Sequence, residues 1–396
     1  MMRHRIPGPP THTIAKALVN KQVKQVHAQA NMALIDESIA NLVALEASLY
    51  RDDFAEFVRA AFHVVEPSER FVDGWHIDAV AEHLQACVTG QIKRLVINIP
   101  PGCMKSTICS VMFPAWVWTR YAKAEEGKVV QGPSARLLFT SYSDSFAERD
   151  SRKTRTLLES EWYQRRWPLG LIGDRSMEFT NDKGGQRFAA GISGGVTGKH
   201  FHYALTDDPL KAADAHSRAA REQVIRFWSE TLSTRMFPGG VRIVVMQRLH
   251  QRDLTGYVLE EGGYQHVMLP ESYESKRATV TVLGKPDRRK VDGELLWRAR
   301  YGEEDNKLRV KELGPFGAAG QLQQRPAPPE GGILQRAWWR RFAWGDLPAE
   351  GFVVDVWDMT FDEGEAHDYV CGMKFLCVGA DMYALQRMRG QWSFID

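Results

Sequence analysis

A chain of 396 residues with a formal net charge of +2 is too long for one ordinary core and has no globally basic field, so any nucleic-acid contact must come from local patches. Hydrophobic content of 44% and charged content of 25% exclude a wholly disordered chain. The longest strongly apolar stretch, Val111 to Trp118, is interrupted by Pro114 and too short for a membrane span, and Pro7, Gly8, Pro9 and Pro10 occupy the place of a signal peptide's apolar core.

The elements follow in chain order. No acid precedes Asp36, while Arg3, Arg5, Lys16, Lys21 and Lys24 do, which reads either as a solvated tail or as an arm for DNA or a partner. Ile14 to about Phe62 has apolar residues at helical spacing and no interior proline. Leu95 to Ile99 predicts a buried strand, followed by a Pro100-Pro101-Gly102 turn and a helix to about Arg120. A second strand, Leu137 to Thr140, leads into a charged helix near Phe146 to Leu158. Tyr203 to Thr206 and Ile243 to Met246 are further buried strands, with a helical segment, Ser217 to Phe237, between them. Strands alternating with helices predict a parallel α/β sheet. Pro270 to about Leu347 is rich in charge, glycine and proline and reads as a linker, after which Phe352 to Trp357, Tyr369 to Val378 and Tyr383 to Arg389 read as a meander. The divisions expected are an N-terminal arm and helical segment over 1–70, a main α/β domain over 71–270, a linker over 271–350 and a second domain over 351–396.

Chemistry concentrates after the first strand. In Pro100-Pro101-Gly102-Cys103-Met104-Lys105-Ser106-Thr107, backbone N–H groups at a helix N-terminus can receive phosphate, Lys105 can neutralise it, and the Ser106 hydroxyl can ligate Mg²⁺. The strict phosphate-loop pattern is broken, because Ile99 and Met104 stand at its two glycine positions, and the bland alternative is a turn with an exposed lysine. About a hundred residues later, Thr206-Asp207-Asp208-Pro209 ends a buried strand, which assigns Asp207 to the magnesium shell and Asp208 to the attacking water. Gln247, at the tip of the strand ending at Met246, is the candidate γ-phosphate sensor. Cys103, at a helix N-terminus beside Lys105, is expected to favour its thiolate. The five cysteines form no CxxC pair and fit reduced thiols.

Together these motifs resemble the large terminases of tailed viruses, in order from about Phe71 to Trp392. Trp75-His76 resembles that family's adenine-contacting motif, PPGCMKST its Walker A loop, LTDDP its Walker B strand, and MQRLH with DLTG its coupling motif. GQLQQRPAP (Gly320 to Pro328) resembles the segment before its nuclease, and Trp357-Asp358 with Asp368-Tyr369 the nuclease's first strands. The resemblance implies an additional-strand P-loop ATPase joined to an RNase H-like nuclease, with ATP and Mg²⁺ as cofactors. Duplex DNA, a small subunit, the portal of a procapsid and a homo-oligomeric ring would be its partners, in the host cytoplasm and without a membrane. The family commonly carries arginine where this chain has Gly102, and often glycine where it has Met104. The arginine finger then needs another source: Arg149, Arg152 or Arg155, or a neighbouring subunit. In the nuclease part Asp358 is the candidate metal ligand, Asp368 is a candidate to assist it, and Asp362, Glu363 and Glu365 read as a solvated turn; the remaining acids would lie beyond Asp396, so no DNA cleavage is expected. Two other readings stand beside this one: a helicase-like ATPase without nuclease, and a non-catalytic nucleotide-binding assembly subunit.

Overall fold

The computed structural model describes residue 32 and residues 34–120, 124–125, 128–129, 132–196, 198–326, 340–359 and 370–390. The chain divides into two compact units, Met1–Pro326 and Ala327–Asp396. The basic N-terminal residues and the acids Asp362, Glu363, Glu365 and Asp368 lie outside the described residues.

The first unit opens with two helices, α1 (34–52) and α2 (Phe54–Val65). Asp53 separates them: its backbone is extended and its carboxylate accepts the Glu56 N–H at 3.1 Å, an N-cap that restarts the helix. Phe54, Phe57, Val58, Ala61, Phe62 and Val65 share the buried face of α2, as the helical spacing requires. Helix α3 (Trp75–Val88) precedes the first strand, β1 (Arg94–Asn98). The helix after the 100–106 loop starts with a π-wound stretch, Thr107–Met112, and becomes α4 (Phe113–Thr119). Pro114 accounts for the wide turn. It has no N–H for the Ser110 carbonyl, and its ring would clash with that carbonyl in an α-turn.

After a short hairpin, β2 (Ala124–Glu125) and β3 (Lys128–Val129), come β4 (Arg136–Ser141), α5 (Asp144–Glu159) and α6 (Glu161–Gln164). Strands β5 (Leu171–Ile172), β6 (Glu178–Asn181), β7 (Gln186–Gly191) and β8 (Phe201–Asp207) follow, then α7 (Arg218–Arg226), β9 (Met236–Met246), α8 (Leu254–Glu261), β10 (Gln265–Met268) and α9 (Glu303–Gly317). Eight of these strands form one sheet in the order β10-β1-β9-β8-β4-β7-β6-β5. From β10 to β7 every pairing is parallel; β6 pairs antiparallel with both β7 and β5, so it alone runs against the other strands of this sheet. The apolar runs of β1, β4, β8 and the end of β9 are buried because helices cover both faces of a parallel sheet. Two clusters fill those faces, one around Phe54, Phe113, Trp116 and Leu205 and one around Phe201, Trp228, Val244 and Val258.

The segment 271–326, read from sequence as linker, groups with the first unit and carries α9 and the buried side chains Leu296 and Trp297. In the second unit β11 (Phe352–Asp358), β12 (Val370–Val378) and β13 (Asp381–Gly390) form an antiparallel sheet in sequence order, the expected meander. No helix among the described residues is long and apolar enough to cross a membrane.

Candidate active site

Parallel register decides where the site lies. Asn98 of β1 stands opposite Met246 of β9, Asp207 of β8 opposite Val245 of β9, and Thr140 of β4 opposite Thr206 of β8. The four strands therefore end at one edge, and the loops that follow them gather at the end of the sheet where open parallel sheets bind ligands. Strand β9 separates β1 from β8, so the strand that delivers Gln247 lies between those that deliver Lys105 and the two acids.

The loop expected to hold phosphate, residues 100–107, turns through left-handed backbone at Gly102 (φ 81°) and Met104 (φ 60°). The second value explains why the strict pattern has glycine there. Met104 adopts the conformation at a cost of ~1–2 kcal/mol, and its half-buried side chain packs on the core. Lys105 is buried, with its ammonium 2.8 Å from Asp208 Oδ2. Burial works against the Lys105 charge, but Asp208 and Asp207 more than offset it and hold its pKa above the usual range. The other oxygen, Asp208 Oδ1, accepts the backbone N–H of Gln247 at 3.1 Å. Asp208 itself has φ 39°, a strained value for a non-glycine residue. One carboxylate thus joins the loop that carries Lys105 to the tip of β9. The Gln247 side-chain oxygen is buried and has no hydrogen-bond partner among the described residues.

Asp207 is 4% exposed, and its Oδ2 accepts the Ser110 hydroxyl at 3.0 Å. Burial, then the charge of Asp208, pushes its pKa up to about 7, against the pull of Lys105 and the Ser106 hydroxyl. Its second oxygen has no hydrogen-bond partner among the described residues. A buried carboxylate with a free oxygen, next to a serine hydroxyl, is a donor set that fits a divalent cation, because the cation would remove the cost of burying the charge. At the end of β1, the Asn98 amide donates to the Met246 carbonyl and to Thr255 Oγ1, both at 3.0 Å, and its oxygen lies 2.8 Å from His266 Nε2. That buried network ties the ends of β1 and β9 to α8 and β10.

Cys103 corrects one expectation. Its thiol is 1% exposed, and burial together with Glu271 pushes its pKa up to about 12, outweighing Arg309 and Lys105. Desolvation defeats the helix dipole here, so the thiol stays protonated. Trp75 and His76 begin α3, with His76 fully buried, both ring nitrogens unpartnered among the described residues, and its pKa pushed down to about 4 by burial. A line of ring contacts runs from His76 through Trp297 (4.7 Å) to Tyr301 (6.3 Å). The Tyr301 hydroxyl then donates to the Gly102 carbonyl at 3.4 Å.

Tyr301, Arg309 and Glu271 carry no sequence signal of their own, because they lie in the stretch that reads as linker. Arg309 donates to the Pro101 carbonyl at 2.9 Å and pairs with Glu271 at 3.1 Å, which fastens α9 to the 100–107 loop. A Cβ at Gly102 would lie 2.3 Å from the Tyr301 oxygen, so a side chain there would have to displace the Tyr301 hydroxyl. Arg149 pairs with Asp150, Arg152 with Glu148 and Arg155 with Glu159. None of the three has a hydrogen bond or ion pair to residues 100–107, Asp207 or Asp208 among the described residues. Asp358 ends β11 in the second unit, exposed and opposite Cys371. Among the described residues no group of three or more His, Cys, Asp or Glu side chains is arranged to hold a metal.

No family model and no curated protein sequence matches the chain. In structure it is similar to the HK97 bacteriophage large terminase, with a TM-score of 0.42 and 11% identity over 82% of this chain and 67% of that one. It is also similar to the large terminase from a thermophilic bacteriophage, with a TM-score of 0.36 and 7% identity over 78% of this chain and 67% of that one.

Proposed function

We propose that this chain is the ATP-hydrolysing motor of a viral DNA-packaging terminase, acting on duplex DNA with Mg²⁺ and with a small subunit, a portal and further copies of itself as partners. The observation that carries the reading is the convergence of Lys105, Asp208 and Gln247, from three separate loops, at one end of a sheet whose β9 lies between β1 and β8. We place Asp358 and the meander of the second unit at the start of an RNase H-like nuclease.

Lys105 and Asp208 neutralise each other before nucleotide arrives. A triphosphate entering the loop meets the N–H groups of residues 102–107 and takes Lys105 from Asp208. The freed Asp208 carboxylate then accepts a proton from the attacking water. Because its other oxygen holds the Gln247 N–H, the same displacement is felt at the tip of β9 and at α8 behind it. Ser106 and Asp207 would hold Mg²⁺, which neutralises charge on the phosphate oxygens.

The test is steady-state ATPase activity with and without linear duplex DNA. MgATP turnover that rises with DNA and is absent in Lys105→Ala supports a motor. ATP binding without turnover, unaffected by that substitution, would refute it.

A further inference from the structure

We infer that Arg187 is a positioning residue for this site: from inside the core it fixes Ser110, and through the Ser110 hydroxyl it fixes the Asp207 carboxylate. The inference rests on the proposed MgATP site.

Arg187 lies on β7 and is 0% exposed. Its Nη2 donates to the Ser110 carbonyl at 3.0 Å, and its guanidinium lies 4.7 Å from the centre of the Phe139 ring. Nε and Nη1 have no hydrogen-bond partner among the described residues. Asp150 acts on Arg187 through its charge, with no ion pair between the two among the described residues, and its Oδ1 pairs with Arg149 at 2.8 Å. Burial pulls the Arg187 pKa down to about 9, which measures how poorly the core solvates this charge. A buried charge with one hydrogen bond does not stabilise a fold, so its presence calls for another reason.

Pro114 supplies that reason. In a regular helix the Ser110 carbonyl would accept the N–H of residue 114, and proline has none. Pro114 therefore cannot serve this carbonyl, and Arg187 donates to it from the core, with Thr154 Oγ1 at a longer 3.4 Å. Held by its carbonyl, Ser110 turns its hydroxyl to Asp207 at 3.0 Å. The relay runs from Arg187 to the Ser110 backbone, from its side chain to Asp207 Oδ2, and leaves Oδ1 free for a ligand. A wide turn of this kind often marks a functional helix, and here its spare carbonyl has a defined use.

Arg187→Met should change the unfolding midpoint little, because removing a poorly solvated buried charge offsets the loss of the hydrogen bond to the Ser110 carbonyl. MgATP turnover should nevertheless fall at least tenfold, with a higher Mg²⁺ half-saturation and an ATP KM changed less than twofold. Ser110→Ala should reproduce the Mg²⁺ effect, the double variant should be no worse than either single one, and Arg187→Lys should recover part of the loss. Unchanged turnover and Mg²⁺ dependence in both single variants, or losses that multiply in the double variant, would overturn the inference. Should Arg187→Met fail to fold, Ser110→Ala and Arg187→Lys decide the question alone. A wild-type chain without turnover would refute the proposed function instead. Denaturant unfolding without nucleotide would still decide this inference: non-additive midpoints for Arg187→Met with Ser110→Ala, and for Ser110→Ala with Asp207→Asn, uphold the relay, and additive ones dismiss it.

Discussion

Asp207→Asn should stabilise the nucleotide-free protein at the pH where it abolishes turnover. In the folded chain the Asp207 carboxyl, buried and beside Asp208, has its pKa raised from 3.8 to about 7. The folded state therefore keeps a proton that the unfolded state has lost, and stability from this group is fully present below pH 3.8 and is lost as pH rises through about 7. That rise corresponds to about 4 kcal/mol, at ~1.4 kcal/mol per unit of pKa. An asparagine stays neutral, and its oxygen can still accept the Ser110 hydroxyl. Its NH₂ lies where Oδ1 has no partner among the described residues, which offsets ~1–3 kcal/mol at every pH. The clean observable is thus the change in the variant's advantage with pH. In EDTA, urea unfolding of both proteins at pH 5 and pH 8 should show the advantage of Asp207→Asn growing by about 3 kcal/mol. His76 and His266, whose pKa values burial pushes down to about 4, act in the opposite direction in both proteins and cancel in this difference. An advantage that stays constant or shrinks between the two pH values would refute the argument.

Lys105→Ala and Asp208→Asn should each reduce ATP turnover by far more than tenfold while leaving circular dichroism unchanged, since each removes a charge needed in the transition state; retention of over a tenth of the wild-type rate would count against the assignment. Cys103 should resist iodoacetamide in the native protein at pH 7.5 and react only after unfolding, because its thiol is 1% exposed with a pKa pushed up to about 12; peptide mapping that finds it alkylated in the native state refutes this. Gly102→Ala should destabilise by ~1–2 kcal/mol, since its φ is 81° and its new methyl meets the Tyr301 oxygen. Tyr301→Phe should recover part of that loss in thermal melts, and no recovery would show that backbone strain alone is responsible.

The parts legible in the sequence are those where composition and period agree. β1, β4, β8 and the second half of β9 are apolar runs feeding helices or loops, which is how a parallel strand covered on both faces must read. β7 is not legible because Gln-Arg-Phe-Ala-Ala-Gly has no apolar run, and its arginine is buried for a reason that lies in another element, at Pro114. The stretch after Pro270 reads as linker because its glycines, prolines and charges are local signals. Its hold on the phosphate loop through Tyr301 and Arg309 depends on contacts about two hundred residues away. In the site itself, Lys105, Asp207, Asp208 and Gln247 follow from strand ends and residue type. Cys103 reads wrongly from sequence, which shows the neighbouring charge and the helix start but not the depth of burial.

The 2.8 Å contact between Lys105 and Asp208 also bears on how quickly the site fills. An exposed ammonium would draw an anionic ligand from a distance, raising the association rate steeply at low ionic strength. Here the cation is already neutralised and almost hidden, so its field is short in range, and under the proposed function a nucleotide would have to arrive before it could compete for the lysine. Capture from solution then depends on whatever positive potential the exposed rim supplies, and Lys105 determines how long the ligand stays.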